Sequence, residues 1–309
     1  MRLLPSGKLL RKMKTQWVML TLSVLIIAYI SVFVFLPLTQ WIWAFYEYKP
    51  NYGSFAETPF IGLKYFGELL GTEGFWTAFR NTLAISVLSL TFGTFFAIAF
   101  AVMLNELPYR RFKKITQTIG YLPHFVSWVI VVNLFTNLLK VNNGTLNTFL
   151  VNAGILKEPY PFLLQGKFYW SLVTIMGIWK ETGWSSIIYL SAITGIDEQL
   201  YEAAYVDGAG RLRRIWHVTL PGIRETVILL LIMSVGGVLG SGYEQALLLT
   251  NGANIEYADV IATYTIRYGL NMGRISYATA ATIFQSVIGF TLVLVTNFLS
   301  KKLTDTQLF

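Results

Sequence analysis

The chain has 309 residues, of which 54% are hydrophobic and only 13% charged. Soluble domains carry roughly 25% charged residues, so there is too little charge here to coat a water-facing surface, and a soluble globular protein is excluded. The net charge of +8 does not point to nucleic acid, because the cations gather in a few loops between apolar runs, and the absence of cysteine rules out disulfides, thiolate catalysis and iron–sulfur ligation.

Residues 1–16 carry Arg2, Lys8, Arg11, Lys12 and Lys14 and no acid. An uncharged apolar run follows over 17–38, long enough for a helix crossing a hydrocarbon core of about 30 Å. A cleaved signal peptide has a shorter apolar region, of roughly 7–15 residues, and a small-x-small cleavage site. Here the run ends in Pro37-Leu38 and the interfacial aromatics Trp41 and Trp43, so it reads as a retained first span. Residues 41–78 mix aromatics, Pro, Gly and acids and read as an outer loop with short helical pieces.

A second span is expected over 81–104, closed by Asn105-Glu106-Leu107-Pro108 and the cations Arg110, Arg111, Lys113 and Lys114. The third, over 115–139, contains Pro123 and His124, and proline is tolerated in a span whose neighbours satisfy the freed carbonyl. Residues 140–168, rich in Asn, Gly and Pro, form a second outer loop. The fourth span, 168–193, carries Lys180 and Glu181 near its middle. A polar segment occupies 194–221. The fifth span is expected over 226–249, a third outer loop over 250–275, and the sixth span over 277–299, before Lys301, Lys302 and a short tail. The chain thus divides into an N-terminal segment 1–16, a membrane domain 17–300 and a tail 301–309.

Six spans put both termini on one side. That side holds fifteen Lys and Arg, the opposite loops eight, and the bias of cations toward cytoplasmic loops assigns the termini and the 194–221 segment to the cytoplasm. The fold class expected is all-α, a polytopic membrane protein with about six transmembrane helices.

Within 194–221, Asp197 suits an N-cap and Glu198 the first turn, where a carboxylate faces the positive end of the helix dipole. Leu200, Ala203 and Ala204 recur at helical spacing, with Glu202 on a different face. Asp207-Gly208 signals a turn, since Gly adopts positive φ without steric cost. Arg211, Arg213 and Arg214 then fall on a second short helix ending before Leu220-Pro221. This yields a helix–turn–helix across the cytoplasmic face. An amphipathic loop lying on the bilayer is the alternative, but interfacial helices oppose bulky apolar groups to Lys and Arg, whereas this first helix offers mainly Ala and acids.

The run Glu202-Ala203-Ala204, Asp207-Gly208-Ala209 and Thr219-Leu220-Pro221, lying between the fourth and fifth spans, resembles the hallmark of the inner-membrane permease subunits of binding-protein-dependent ABC importers. Leu107-Pro108-Tyr109-Arg110-Arg111-Phe112, Tyr121-Leu122-Pro123 and Leu248-Leu249-Thr250-Asn251-Gly252 are similar to the carbohydrate branch of that family, the maltose-type and oligosaccharide permeases. Ile215 stands where the family often has Phe. The resemblance implies a bacterial inner or plasma membrane subunit working with a second, similar permease, two cytoplasmic ATPase subunits and an extracytoplasmic solute-binding protein. Glu202, Ala203, Ala204, Asp207, Gly208, Ala209, Leu220 and Pro221 would then form a coupling helix seated in a groove of an ATPase subunit, with Glu202 meeting a basic group there.

No stretch fits the phosphate-cradling G-x-x-x-x-G-K-[ST] pattern: Gly166-Lys167 is followed by Phe168. The chain is therefore not expected to be an enzyme or to bind a cofactor, and ATP and Mg²⁺ are expected on the partner ATPases. His124 and His217 stand apart from any H-E-x-x-H or Cys cluster, so no metal site is expected. His217 reads as a membrane-surface residue and His124 as a hydrogen-bonding group beside Pro123.

Charges at mid-span are costly and face a cavity or a partner helix. Adjacent residues point about 100° apart on a helix, so either Lys180 or Glu181 lines a path near Trp179 and Trp184, or one of them bridges to another span, where Glu244 is also charged. Tyr243, Glu244 and Gln245 combine an aromatic face with a carboxylate and an amide, the groups that bind sugar hydroxyls. Gly236, Gly237 and Gly240 suit close helix packing through small residues. Asp259 and Arg267 could meet a binding protein, though capping a short helix is the simpler role. Sugar or oligosaccharide cargo rests on branch resemblance, with another solute as the alternative. An ion-driven transporter would call for inverted repeats and a coupling-ion site, and a channel would need no coupling helix.

Overall fold

The computed structural model describes residues 15–49, 51 and 57–304. The basic residues at 1–14 and the end of the 301–309 tail lie outside the described residues. Among the described residues the fold is all-α, with one isolated antiparallel bridge, Tyr46 to Phe60. Among the described residues four helices are long and apolar enough to cross a membrane, or five if a bent pair forms one span.

The first, α1 (Trp17–Phe45), is apolar all round, and none of Trp17–Ile30 is buried within the chain. Its main packing against other helices is at its 3₁₀ end, Thr39–Phe45. After the short α2 (Lys64–Leu70), α3 (Glu73–Asn105) begins well before residue 81, where the apolar run starts. Its first turns project beyond the apolar stretch because Phe75 and Ala78 are buried there, with Leu69, Tyr264, Tyr277 and Ala281.

The third expected span is not one helix. α4 (Arg110–Tyr121) runs into a 3₁₀ turn at Leu122–Phe125, and α5 (Trp128–Leu139) leaves at 99°. Pro123 lacks an N–H and cannot extend the ladder of α4, and Val126 and Ser127 are extended, with ψ of 133° and 152°. α4 carries Arg110, Arg111, Lys113 and Lys114 on one face of its first turns and buries none of its residues.

After α6 (Thr145–Asn152) comes α7 (Tyr169–Thr194), within a residue of the expected fourth span. α3 and α7 form the most extensive helix pair. At one end their contact is Ala97, Ala101 and Leu104 against Tyr189, Leu190 and Ile193. Gly183 brings α4 against α7 so closely that a Cβ there would lie 1.9 Å from the carbonyl oxygen of Gly120.

The polar segment forms α8 (Glu198–Val206) and α9 (Arg211–Arg214), continued by a π turn over Ile215–Thr219 and by Leu220–Gly222. The fifth expected span is also interrupted. α10 (Arg224–Gly237) passes through a 3₁₀ turn, Val238–Gly240, and an extended Ser241 before α11 (Tyr243–Leu249) starts at Gly242, whose φ is +82°. Gly236 does pack closely, its Cβ position 3.3 Å from Val293, but Gly237 and Gly240 face open space. The close-packing reading therefore holds for one glycine and fails for two, which serve the break.

The stretch 250–275, expected as a loop, is mostly helical: α12 (Ile255–Ala258), α13 (Ile261–Ile266) and a π turn, Arg267–Asn271, precede α14 (Ile275–Thr304). Its polar groups are satisfied from α3. Asn81 Nδ2 donates to the carbonyls of Glu256 and Asp259, both at 2.9 Å, and Thr82 Oγ1 accepts from the Ile261 N–H at 2.9 Å. Asp259 accepts from Thr263 at 2.8 Å and pairs with Arg267 at 2.5 Å, the capping role rather than a free binding-protein contact.

Candidate functional site

A cavity of about 840 Å³ lies between α3, α7 and the break between α10 and α11. Helical spacing supplies two walls. Ser89, Gly93 and Ala97 recur every fourth residue on α3, as Gly177, Glu181 and Ser185 do on α7, so each set shares one face. Small residues leave the space, and Glu181 and Trp184 project into it. The third wall exists because the helix breaks: with Gly242 in the left-handed region, Tyr243, Glu244 and Gln245 turn into the cavity. Trp128, at the start of α5, completes the lining. Carboxylates accept several hydrogen bonds and an amide both donates and accepts, so the wall matches a polyhydroxylated solute, with indole and phenol faces for its apolar side.

Five of the seven expected path residues line this cavity: Glu181, Trp184, Tyr243, Glu244 and Gln245. The other two lie elsewhere. Trp179 faces a separate apolar groove with Leu88, Phe92, Phe96, Ile175 and Ile178. Lys180 is buried at 6% exposure. Its Nζ donates to the His124 carbonyl at 2.5 Å, pairs with Glu181 Oε1 at 3.2 Å and sits 5.7 Å from the Trp128 ring centroid. The bridge to Glu244 weighed from the sequence is not formed. Adjacent positions do point apart, but the flexible four-carbon stem of lysine lets its ammonium curl back to its neighbour.

His124, expected as a hydrogen-bonding group, finds its partner far away in sequence. Its Nδ1–H donates to Glu181 Oε2 at 2.7 Å, and its ring stacks on Trp184 with centroids 4.4 Å apart and planes 3° from parallel. Trp128, Ser89, Gly93 and Thr94 were also missed. The fourfold spacing of small residues on α3 was the available signal.

Gly242 makes this wall testable. Its φ of +82° costs an L-residue about 1–2 kcal/mol, and a Cβ there would sit 3.3 Å from Ile85 Cγ2. Gly242→Ala is expected to lower the melting temperature of the purified protein and to reduce solute uptake. Unchanged values in both would mean that the break does not depend on this glycine.

The second candidate site is the polar segment. Asp197 caps α8, its side chain accepting from the Gln199 N–H at 2.9 Å. The helix ends in a Schellman motif: Gly208 N–H donates to the Tyr205 carbonyl at 3.0 Å and Ala209 N–H to the Ala204 carbonyl at 2.9 Å, with Gly208 at φ +75°. Ala204, Asp207, Gly208 and Ala209 are thus the positions of one helix stop. Glu202, Ala203, Asp207, Gly208 and Pro221 are exposed, and Ala204, Ala209 and Leu220 half-buried. Val206 is 84% exposed, Leu212 74% and Trp216 67%, so the segment presents apolar as well as acidic surface, more than its alanines suggested. Its far end is anchored. Tyr201 and Thr219 hydroxyls are 3.0 Å apart, Arg211 reaches Glu106 at 3.8 Å, and Ile223 is fully buried among α3 and α7 side chains. His217 is exposed and its Nδ1 lies 2.9 Å from the Arg213 carbonyl. Among the described residues no cluster of three His, Asp or Glu side chains is placed to hold a metal.

Comparison with known proteins gives a consistent result. The chain is 41% identical over 281 residues to the polygalacturonan/rhamnogalacturonan transport system permease protein YteP of Bacillus subtilis, covering 91% of this chain and 87% of that protein. It is 38% identical to protein LplB of the same organism, with the same coverage. A bacterial alginate ABC transporter, solved in complex with an alginate pentasaccharide-bound periplasmic protein, superposes with a TM-score of 0.88 at 37% identity, over 98% of this chain and 100% of that one. Residues 89–305 match the family described as the binding-protein-dependent transport system inner membrane component, and the chain belongs to that family.

Proposed function

We propose that this chain is the membrane-spanning subunit of an ATP-driven importer, supplying half of the path for an oligosaccharide. The observation that carries the reading is the cavity, which Glu181, Trp184, Tyr243, Glu244 and Gln245 line from two helices. The cargo class draws support from the names of its relatives, which transport polygalacturonan, rhamnogalacturonan and alginate.

In this reading the spans are α1, α3, the α4–α5 pair, α7, the α10–α11 pair and α14, with both termini and the 194–221 segment in the cytoplasm. Residues 1–16 and 301–309 are short cytoplasmic ends, and 17–300 form the permease domain. A second permease closes the cavity, and a solute-binding protein delivers cargo at the opposite end. Glu202 to Pro221 seats in a groove on one of two ATPase subunits, which hold ATP and Mg²⁺. ATP-driven closure then moves α8 as a rigid body, and the anchors at Thr219 and Ile223 carry the motion into α10.

Two measurements test this. An ATPase subunit should co-purify with the wild-type complex and be lost when residues of 194–221 are altered. In a thermal-shift screen, the cognate binding protein should be stabilised by uronide or neutral oligosaccharides. Stabilisation only by an amino acid or a glycerol phosphate would replace the sugar reading with a non-sugar importer, and absence of any ATPase partner would exclude the importer class.

A further inference from the structure

Trp184 and Lys180 are connected by an unbroken set of contacts. Lys180 is buried at the 99° bend, where its ammonium bonds the carbonyl of His124 that the broken helix leaves free. The same ammonium holds the Glu181 carboxylate, whose second oxygen accepts the His124 Nδ1–H. The imidazole so fixed lies parallel beneath the indole of Trp184 at 4.4 Å, and Phe125 abuts that indole edge-on at 5.6 Å. One face of Trp184 is thus occupied, and 44% of the residue remains exposed while it lines the cavity. Lys180 also lies 5.7 Å from the ring centroid of Trp128, another residue of the wall.

Rings held flat at a fixed height, with one face free, are what a pyranose needs to lay its C–H surface against an aromatic. A neighbouring carboxylate oriented by two donors is what its hydroxyls need. We propose that Trp184 is the stacking platform for a sugar ring in the cavity and that Lys180 is a positioning residue, setting the platform through Glu181 and His124. This rests on the oligosaccharide reading above. It assigns the buried lysine a role that neither a solvent-facing charge nor a bridge between distant spans would have. Bend and platform become one unit: a shift of α4 relative to α7 moves the ring on which the sugar rests.

The test uses the whole transporter in proteoliposomes with its cognate binding protein saturated with sugar. The initial uptake rate is normalised to the amount of assembled complex. Trp184→Leu, which removes the ring, is expected to lower uptake about tenfold, and Trp184→Phe, which keeps a flat face, no more than about threefold. Lys180→Met should lower uptake about fivefold, and Lys180→Arg, which keeps the charge but not the compact ammonium, should restore only part of it. The double variant Lys180→Met, Trp184→Leu should be no slower than Trp184→Leu alone, because residues acting through one group do not add. If Lys180→Met fails to assemble, His124→Gln serves in the same cycle, keeping a donor for Glu181 but no ring under Trp184.

Wild-type uptake with Trp184→Leu, equal losses for Leu and Phe, or additive losses in the double variant would overturn the proposal. No uptake of any sugar by the wild-type transporter would instead overturn the oligosaccharide reading on which it rests.

Discussion

Gly183→Ala is expected to prevent assembly of the complex. The added Cβ would lie 1.9 Å from the Gly120 carbonyl oxygen, 2.4 Å from its carbon and 3.0 Å from the Tyr121 nitrogen. All three are backbone atoms, so no rotamer change relieves the clash and α4 must lift away from α7. Overpacking of a fitted contact costs about 1–3 kcal/mol even when side chains can adjust, and here they cannot. The lift would also part Lys180 from the His124 carbonyl one turn away, leaving the buried ammonium with the Glu181 carboxylate alone. Gly120→Ala provides the control on the facing helix. Its Cβ would meet Phe100 Cζ at 2.6 Å, the far end of a side chain that can rotate, and the variant should assemble with a modest loss in melting temperature. The measurement is the yield of intact complex and its melting temperature for both variants. Wild-type values for Gly183→Ala would show that α4 and α7 do not cross at this distance.

That crossing was invisible in the sequence, and the reason separates what hydropathy can carry from what it cannot. Apolar run length depends on local composition, so α7 and α14 fall close to the stretches read from it. The breaks are local too, but a single residue type does not identify them. Pro123 alone predicts a kink that a span can absorb, whereas two extended residues after it turn the chain by 99°. Gly236, Gly237 and Gly240 read as a close-packing set, yet of these three only Gly236 has a neighbour near its Cβ position. The break turns Tyr243, Glu244 and Gln245 into the cavity. Glycine serves both ends equally well, and only the packing partners distinguish them.

The candidate site divides along the same line. Chemistry was legible: carboxylates, an amide and aromatics in two predicted spans do share a cavity. Direction was not. Trp179 and Lys180 immediately precede Glu181 in sequence, yet one faces an apolar groove and the other is buried at the bend. His124 stands 57 positions from its partner Glu181, and nothing in one sequence pairs them. The stretch 250–275 looked like a loop because its helices are only a turn or two long. They are held by Asn81 and Thr82 of α3 rather than by their own propensity.

Gly208→Val and Glu202→Ala are expected to release the ATPase subunits and stop transport, with Gly208→Val the more severe. Gly208 closes the Schellman motif at φ +75°, and nothing lies within 4 Å of where its Cβ would be. The penalty is therefore one of backbone conformation alone. It is about 1–2 kcal/mol for an L-residue in the left-handed region, and that region makes a β-branched side chain a genuine outlier. Relief requires re-forming the turn, which swings α9 and its cations away from α8. Asn tolerates left-handed φ far better, so Gly208→Asn should retain more ATPase than Gly208→Val if the turn geometry is what matters. Equal loss for both would assign the effect to a side chain obstructing the docking groove. Glu202→Ala leaves the helix intact, since Ala is the better helix former, and removes only the exposed carboxylate. Its effect should therefore shrink as ionic strength rises and screening already weakens the wild-type contact. Co-purification of the ATPase at two salt concentrations reads both variants, and full retention of ATPase and transport in both would remove 194–221 from the coupling path.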